Sequence, residues 1–175
     1  LAPTGIAAIN AGGVTIHSFF QVPFAPYVPE SSFSADGKAT YRFRYGKEKI
    51  NIIRSIDLLV IDEISMVRAD LLDSVDAVLR RFRDRNKPFG GVQLLMIGDL
   101  QQLSPVVKDD EWQMLRKYYD TPYFFSSQAL KQTEYCTIEL KKVYRQNDGT
   151  FLELLNRIRE NRCDGQVLEA LNRRY

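Results

Sequence analysis

Leu58-Leu59-Val60-Ile61-Asp62-Glu63 is the segment of this 175-residue chain that is most informative about its fold. Four aliphatic residues end abruptly at two carboxylates, a pattern typical of a buried parallel strand whose carboxyl end delivers acids to a nucleotide site. In phosphoryl transfer, Asp62 would hold Mg²⁺, while Glu63 would orient and deprotonate the attacking water. The alternative is a strand that simply ends in solvated acids.

A second strand of the same design is predicted at Val92–Ile97, which is mostly apolar and runs into Gly98-Asp99. Ligands of open α/β sheets bind outside the carboxyl ends of the strands, so we expect the loops after both strands to line one site. Gly98 would let the backbone turn tightly. The Gln102 amide could donate to a phosphate oxygen and accept from a water, or it could merely cap its own loop.

The amino-terminal segment predicts a helix that begins near Thr4 and ends at Gly12-Gly13. A hydroxyl and a glycine at a helix amino terminus favour anion binding. The next segment, Thr15–Phe20, combines hydroxyls, an imidazole and an aromatic pair, which suits phosphate contacts and base stacking on a single strand. His17 is the only histidine in the sequence, and a structural hydrogen-bonding role is the alternative to a functional one.

Together, these segments resemble the ordered motifs of the Pif-type, RecD-related DNA helicases of superfamily 1B. The similarity spans nearly the whole chain and is carried, in order, by Ala2–Ala8 with Thr15–Phe19, Ile61–Val67, Lys87–Val106 and Val143–Gln146. The resemblance implies an α/β, RecA-like P-loop NTPase fold, with a mostly parallel sheet and helices on both faces. It also implies a motor that hydrolyses ATP with Mg²⁺, moves 5′ to 3′ along single-stranded DNA and unwinds duplexes.

The resemblance further assigns roles to individual residues. Asp62 falls on the family's magnesium ligand, Glu63 on its water-activating acid and Gln102 on its γ-phosphate-sensing glutamine. Arg145 falls on the arginine that reaches the γ-phosphate across the cleft, where a fixed cation stabilises transition-state charge. Contacts with the DNA strand are implied for Pro3, Thr4, Gly5, His17, Ser18 and Phe19.

The chain departs from the family's pattern in two places. Leu100-Gln101 and Ser104-Pro105 replace the aromatics and the double proline usual in the third motif. The sequence also contains no Gly-x-x-x-x-Gly-Lys-Ser/Thr loop, which would cradle the β- and γ-phosphates. We therefore expect a domain truncated at its amino terminus, which needs that loop and a second motor domain of the same protein. Alone, it should fold but neither hydrolyse ATP nor bind it tightly.

The predicted organisation is one partial motor domain over residues 1 to 175, with an insertion-like loop at residues 21 to 46. Lys and Arg total 24 against 22 Asp and Glu, so DNA affinity must come from local patches and not from overall charge. The cysteines are far apart, and neither a signal peptide nor a membrane-length apolar run is evident. These features predict a cytoplasmic protein.

Further elements are predicted from hydrophobic periodicity. Helices are expected over residues 66 to 84, 112 to 119, 150 to 160 and around 167 to 171. Strands are expected over residues 39 to 45, 123 to 125 and 135 to 140, and the last two would extend the sheet. The alternation of aromatics and arginines in residues 41 to 45 suits either single-strand binding or a half-buried strand.

Two alternative functions remain open. A RecD-like or relaxase-associated helicase subunit would share the motor residues and differ in its appended domains. A degenerate, non-hydrolysing DNA-binding module would lack the phosphate-binding loop altogether. The expected partners are single-stranded DNA and junctions between single and double strands, and the resemblance implies processes such as DNA repair, recombination and telomere maintenance.

Overall fold

The computed structural model describes residues 1–28, 45–144 and 148–173. The chain divides into two compact units, Leu1–Glu134 and Tyr135–Tyr175. The strand predicted over residues 39 to 45 lies outside the described residues except for Tyr45, as does most of the insertion-like loop at residues 21 to 46. The organisation of residues 1 to 175 as one motor domain stays a prediction.

The first unit is built on a parallel strand pair, β1 (Leu58–Ile61) and β2 (Gln93–Met96), in register from Leu58 opposite Gln93 to Ile61 opposite Met96. Both predicted site strands are therefore confirmed. Leu1 lies along the other edge of β1, because its amino group donates to the Val60 carbonyl at 2.6 Å and its carbonyl accepts from the Asp62 amide at 2.8 Å.

Eight helices surround or follow these strands in the described residues. The first unit contains α1 (Gly5–Asn10), α2 (Ile16–Phe20), α3 (Lys47–Ser55), α4 (Ala69–Phe82), α5 (Asp109–Leu115) and α6 (Gln128–Lys131). The second unit contains α7 (Gly149–Arg159) and α8 (Gly165–Asn172). Short 3₁₀ turns lie at Ile64–Met66, Pro88–Gly91 and Phe124–Ser126. None of the described helices is long and apolar enough to cross a membrane.

Helix α4 supplies much of the core. Its apolar residues recur every three or four positions, and Leu72, Val75, Val78 and Leu79 are at most 1% exposed. They pack with Leu59 and Ile61 of β1 and with side chains from α2, α3 and α6 in one hydrophobic cluster. Each fully buried aliphatic side chain contributes roughly 1.5 to 3 kcal/mol. The predicted helix is confirmed, although it starts later because a 3₁₀ turn occupies Ile64–Met66.

The turn before β2 is fixed against α4. Phe89 and Gly90 both adopt positive φ values, and the Phe89 amide donates to the Asp76 carboxylate. Burial raises the pKa of Asp76, while the hydrogen bonds from Phe89 and Arg80 oppose that rise. A Cβ on Gly90 would lie 2.8 Å from the Leu79 carbonyl oxygen, so only glycine fits there. This turn sets where β2 begins.

A buried carboxylate joins α4 to α6. Each oxygen of the Asp73 carboxylate accepts two hydrogen bonds. The donors to Oδ1 are the Ser127 hydroxyl and the Ala129 amide. The donors to Oδ2 are the Tyr119 hydroxyl and the Gln128 amide. Burial, and then the Asp73 charge, raise the pKa of Tyr119, which keeps the phenol a donor. Asp73 thus caps α6 and holds it on the core.

We expect Asp73→Asn to lower the free energy of unfolding by about 1 to 3 kcal/mol, because the new amide group faces donors and leaves buried hydroxyls without a partner. Urea unfolding measures this. Asp120→Asn is the matched control, since Asp120 is exposed and forms a surface ion pair with Lys131 at 3.0 Å, worth about 0 to 1 kcal/mol. Equal losses in the two variants would show that the Asp73 hydrogen bonds do not stabilise the fold.

Two predicted strands are wrong. Residues 123 to 125 lead into a 3₁₀ turn, Phe124–Ser126, and only Tyr123 makes an isolated bridge, with Arg68. Residues 135 to 140 do not form a strand either, and Ile138 and Leu140, the apolar side chains that a strand would bury, are 79% and 88% exposed. The helix predicted over residues 112 to 119 begins earlier and ends earlier, at Asp109–Leu115. The two helices of the second unit are confirmed.

Candidate active site

The backbone segments that follow β1 and β2 interlock at one edge of the sheet. The Ile97 amide donates to the Ile61 carbonyl at 2.9 Å, and the Ile64 amide donates to the Ile97 carbonyl at 2.9 Å. Gly98 approaches so closely that a Cβ on it would lie 3.0 Å from the Ile64 nitrogen and 3.1 Å from the Ser65 nitrogen. Polar residues that follow the two strands are therefore held in one place, as the sequence predicts.

Asp62 and Glu63 form the acidic part of this edge, and both are half-buried. Glu63 adopts a left-handed backbone with φ 52° and ψ 43°, which is uncommon for a residue other than glycine and is frequent at active sites. The Glu63 amide donates to Asp62 Oδ1 at 2.9 Å. This bond fixes the orientation of the Asp62 carboxylate. Because the backbone turns at Glu63, the strand does not continue beyond Asp62.

Asp99 and Gln102 form the second polar loop. Asp99 Oδ1 accepts from the Gln101 amide at 3.0 Å, and Asp99 Oδ2 accepts from Gln102 Nε2 at 3.0 Å. Gln102 is exposed and, in this structure, caps its own loop, which is the alternative role that the sequence offers. The Gln102 amide has two N–H donors and only one is directed at Asp99, so the contact with a phosphate is compatible with this bond and stays a prediction.

The residues present fit a magnesium site that is completed by substrate. Among the described residues, no group of three His, Cys, Asp or Glu side chains is arranged to hold a metal. Mg²⁺ is usually bound through one or two carboxylates, with waters and substrate phosphates as its other ligands. Asp62, oriented by the Glu63 amide, meets that requirement. Arg145 lies outside the described residues, so its predicted role at the γ-phosphate is not examined by the structure.

A cavity of about 230 Å³ lies between the amino-terminal segment and the start of α4. Three predicted strand-binding residues line it together: Pro3, Thr4 and His17. Thr4 caps α1 as predicted, since its hydroxyl accepts from the Ala7 amide at 3.3 Å. The remaining lining residues are Val22, Pro23, Phe24, Ala25, Tyr27, Met66, Arg68, Asp70, Leu71, Ser74 and Val106.

The charges on the wall of this cavity are paired. The Arg68 guanidinium donates to both oxygens of Asp70, at 2.8 and 2.7 Å, and to Glu111 at 2.9 Å. Burial lowers the pKa of His17, the nearby Arg68 charge lowers it further, and Asp70 opposes both. The imidazole therefore favours its neutral form at neutral pH. His17 also stacks on Phe24, with ring centroids 4.4 Å apart.

The other three predicted strand contacts do not line the cavity. Gly5 and Ser18 are exposed, at the first turns of α1 and α2. Phe19 is half-buried, packs edge-on against Phe20 with centroids 4.9 Å apart, and carries the Lys49 ammonium 3.8 Å from its ring centre. All six contacts stay predictions.

Sequence reasoning missed several residues that shape the cavity, namely Phe24, Met66, Arg68 and Asp70. For Phe24 a signal was present, because an aromatic residue between Pro23 and Pro26 cannot be part of a helix face. For Arg68 and Asp70 there was none, since the ion pair of Arg68 with Glu111 and the hydrogen bond that Asp70 accepts from the Tyr27 amide depend on the fold.

An Asp-Glu pair and an Asp-Gln loop, held together at the carboxyl ends of adjacent parallel strands, are the features of a RecA-like α/β domain. The family model for PIF1-like helicases matches residues 1–167. The chain belongs to the PIF1-like helicase family, which confirms both the resemblance and the predicted fold class.

Relatives and solved structures agree with this assignment. The chain is 40% identical to human ATP-dependent DNA helicase PIF1 over 97% of its own length and 24% of that protein. It is 35% identical to ATP-dependent DNA helicase RRM3 of Saccharomyces cerevisiae, over 90% of the chain and 20% of that protein. It therefore spans about a quarter or less of the curated relatives.

Among solved structures, Pif1 helicase from Bacteroides in complex with ADP-AlF3 and ssDNA matches with a TM-score of 0.88 and 43% identity, over 96% of this chain and 37% of that one. Pif1 helicase from Candida albicans matches with a TM-score of 0.72 and 32% identity, over 97% of this chain and 35% of that one. Both likenesses extend over nearly the whole chain.

Proposed function

We propose that the protein containing this chain is an ATP-dependent DNA helicase, and that residues 1 to 175 form part of its first motor domain. One observation carries the proposal: the Asp62-Glu63 pair and the Gln102 loop occupy interlocked segments after neighbouring parallel strands. Phosphoryl transfer needs a metal ligand, a water-orienting base and a γ-phosphate contact close together, and this edge supplies candidates for all three. Relatives named as ATP-dependent DNA helicases support it.

The chemistry follows from the residues at that edge. Asp62 would hold the Mg²⁺ that accompanies ATP, which would supply positive charge against the phosphates. Glu63 orients the attacking water and accepts its proton. Gln102 contacts the γ-phosphate through its amide, while Arg145 stabilises the negative charge of the transition state. The β- and γ-phosphates need a further cradle of backbone amides and a lysine.

The second part of the proposal is a path for single-stranded DNA past Pro3, Thr4 and His17, with Gly5, Ser18 and Phe19 beside it. Met66 and Arg68 line the cavity and follow Glu63 closely in the chain, so the turn at Ile64–Met66 connects the two sites. Closure of the nucleotide site would then shift the cavity wall. Such coupling would support stepping along the strand. The 5′ to 3′ direction rests on the family resemblance alone, and junctions between single and double strands are the proposed substrates for unwinding.

A strand-displacement assay with the full-length protein tests this function. We expect ATP and Mg²⁺ to drive unwinding of duplexes with a 5′ single-stranded tail, and not of duplexes with a 3′ tail. Unwinding from 3′ tails alone would reverse the proposed direction. The second candidate is a non-hydrolysing DNA-binding module, because residues 1 to 175 contain no Walker-type loop. Binding of single-stranded DNA without any ATP hydrolysis would indicate this module.

Family membership favours the Pif-type helicase over the RecD-like or relaxase-associated alternative. Roles in DNA repair, recombination and telomere maintenance and a cytoplasmic location stay predictions.

A further inference from the structure

Phe24 is an aromatic side chain at the rim of the cavity, 82% exposed although it lines the cavity wall. One face of its ring stacks on His17, with an interplanar angle of 20°. Since the residue is so exposed, its other face is open to solvent. An exposed aromatic face supported from behind by a second ring is a platform for a planar ligand.

The chemistry of the wall favours an uncharged ligand. Among the described lining residues, Arg68 is the only lysine or arginine, and it is already bonded to Asp70 and Glu111. Arg68 is paired with Asp70 on the wall and with Glu111 beside it, so the described wall offers a phosphate no free cation. The cavity, at about 230 Å³, is also smaller than the roughly 300 to 1,000 Å³ of typical small-molecule sites. A single nucleobase suits both its size and its charge.

Phe24 is held in place from both sides along the chain. Val22 is 5% exposed and belongs to the core, and the Tyr27 amide donates to Asp70 Oδ2 at 2.9 Å. A short segment fixed at both ends presents its aromatic ring with little conformational freedom left to lose on binding. Phe19 differs, because it packs against the core and one face of its ring carries Lys49.

We infer that Phe24, backed by His17, stacks a base of single-stranded DNA at the mouth of this cavity. The inference rests on the proposed function and adds to it a binding residue with a defined ligand group. The phosphates of the same strand would lie outside the cavity, toward residues other than Arg68.

The first test is the affinity of full-length protein for a fluorescent oligothymidine, measured by anisotropy. Loss of one stacked base costs about 1 to 3 kcal/mol, so Phe24→Ala should weaken binding about 5- to 150-fold. Phe24→Tyr should bind within about twofold of the unchanged protein, because the ring is kept. Phe125→Ala is the matched control and should also bind within about twofold, because Phe125 is an exposed aromatic that stacks on Tyr123, with ring centroids 5.3 Å apart, but does not line the cavity.

An oligonucleotide with consecutive abasic positions separates stacking from indirect effects. Removing the bases should weaken binding by the unchanged protein, while Phe24→Ala should bind the abasic and normal strands almost equally. The salt dependence of binding should keep its slope in Phe24→Ala, because no phosphate contact is lost.

Different failures have different meanings. If Phe24→Ala binds within about twofold of the unchanged protein, or loses as much affinity for abasic as for normal DNA, Phe24 does not stack a base. If Phe125→Ala shows an equally large loss, the effect of Phe24→Ala does not come from a base stacked at the cavity mouth, and the inference is wrong. If the unchanged protein binds no single-stranded DNA, the proposed function itself is wrong, and this inference falls with it.

Discussion

Glu63→Gln in the full-length protein should lower the steady-state rate of ATP hydrolysis by about 10² to 10⁴, the usual cost of losing a general base. Glutamine keeps the size of the side chain and removes only the proton acceptor. The Glu63 backbone, including the amide that orients Asp62, is unchanged by this substitution. Affinities for ATP and for single-stranded DNA should therefore stay within about threefold. Coupled-enzyme hydrolysis and fluorescence anisotropy measure the two quantities.

Glu48→Gln is the matched control, because Glu48 is an exposed carboxylate in the first turn of α3. Its hydrolysis rate should equal that of the unchanged protein. A Glu63→Gln rate within about threefold of normal would exclude Glu63 as the base. A variant that also fails to bind ATP would point to a structural role for this carboxylate instead.

The edge of the sheet that carries these acids could be predicted from sequence because its signals are local. An apolar run that stops at charged residues determines both the strand and the position of its polar end, as at Ile61-Asp62 and again at Ile97-Gly98. Helix caps are local too, and Thr4 and Thr15 both cap the helices that follow them.

Other features depend on contacts between distant segments, and there the sequence was insufficient. Residues 135 to 140 have the alternation of a strand, but a strand also needs a neighbour to pair with. Phe19 and Phe24 are both aromatic residues in the same region, and only packing decides that the first joins the core and the second is exposed. Likewise, nothing in the sequence indicates that Arg68 pairs with Glu111, because the two residues meet only in the folded chain.

The sequence correctly predicts that glycine is needed at position 98, but the structure gives a different physical reason for it. A tight turn was expected there, which would use the freedom of glycine at positive φ. Gly98 does not adopt a positive φ; it is required because the backbone of Ile64 and Ser65 passes within 3.1 Å of where a Cβ would sit. The glycine thus lets the Asp62-Glu63 pair and the Gln102 loop share one edge of the sheet.

Gly98→Val should therefore impair hydrolysis without destroying the fold. A branched Cβ cannot fit beside the Ile64 nitrogen, whose hydrogen bond to the Ile97 carbonyl holds it in place, so the two loops must separate. A displacement on the order of 1 Å between catalytic groups costs about 10² in rate, and we expect kcat to fall by about that factor. Gly98→Ala should show a smaller loss in the same direction.

Gly46→Val controls for the substitution itself, because nothing lies within 4 Å of the Cβ position at Gly46. Its kcat and melting temperature should match those of the unchanged protein. If Gly98→Val lowers kcat while single-strand affinity and circular dichroism are retained, the spacing between the loops limits the chemistry. A normal kcat in Gly98→Val would mean that the contact between Gly98 and the Ile64-Ser65 backbone does not align Glu63 with the γ-phosphate. The interlocked edge would then stabilise the fold without contributing to hydrolysis.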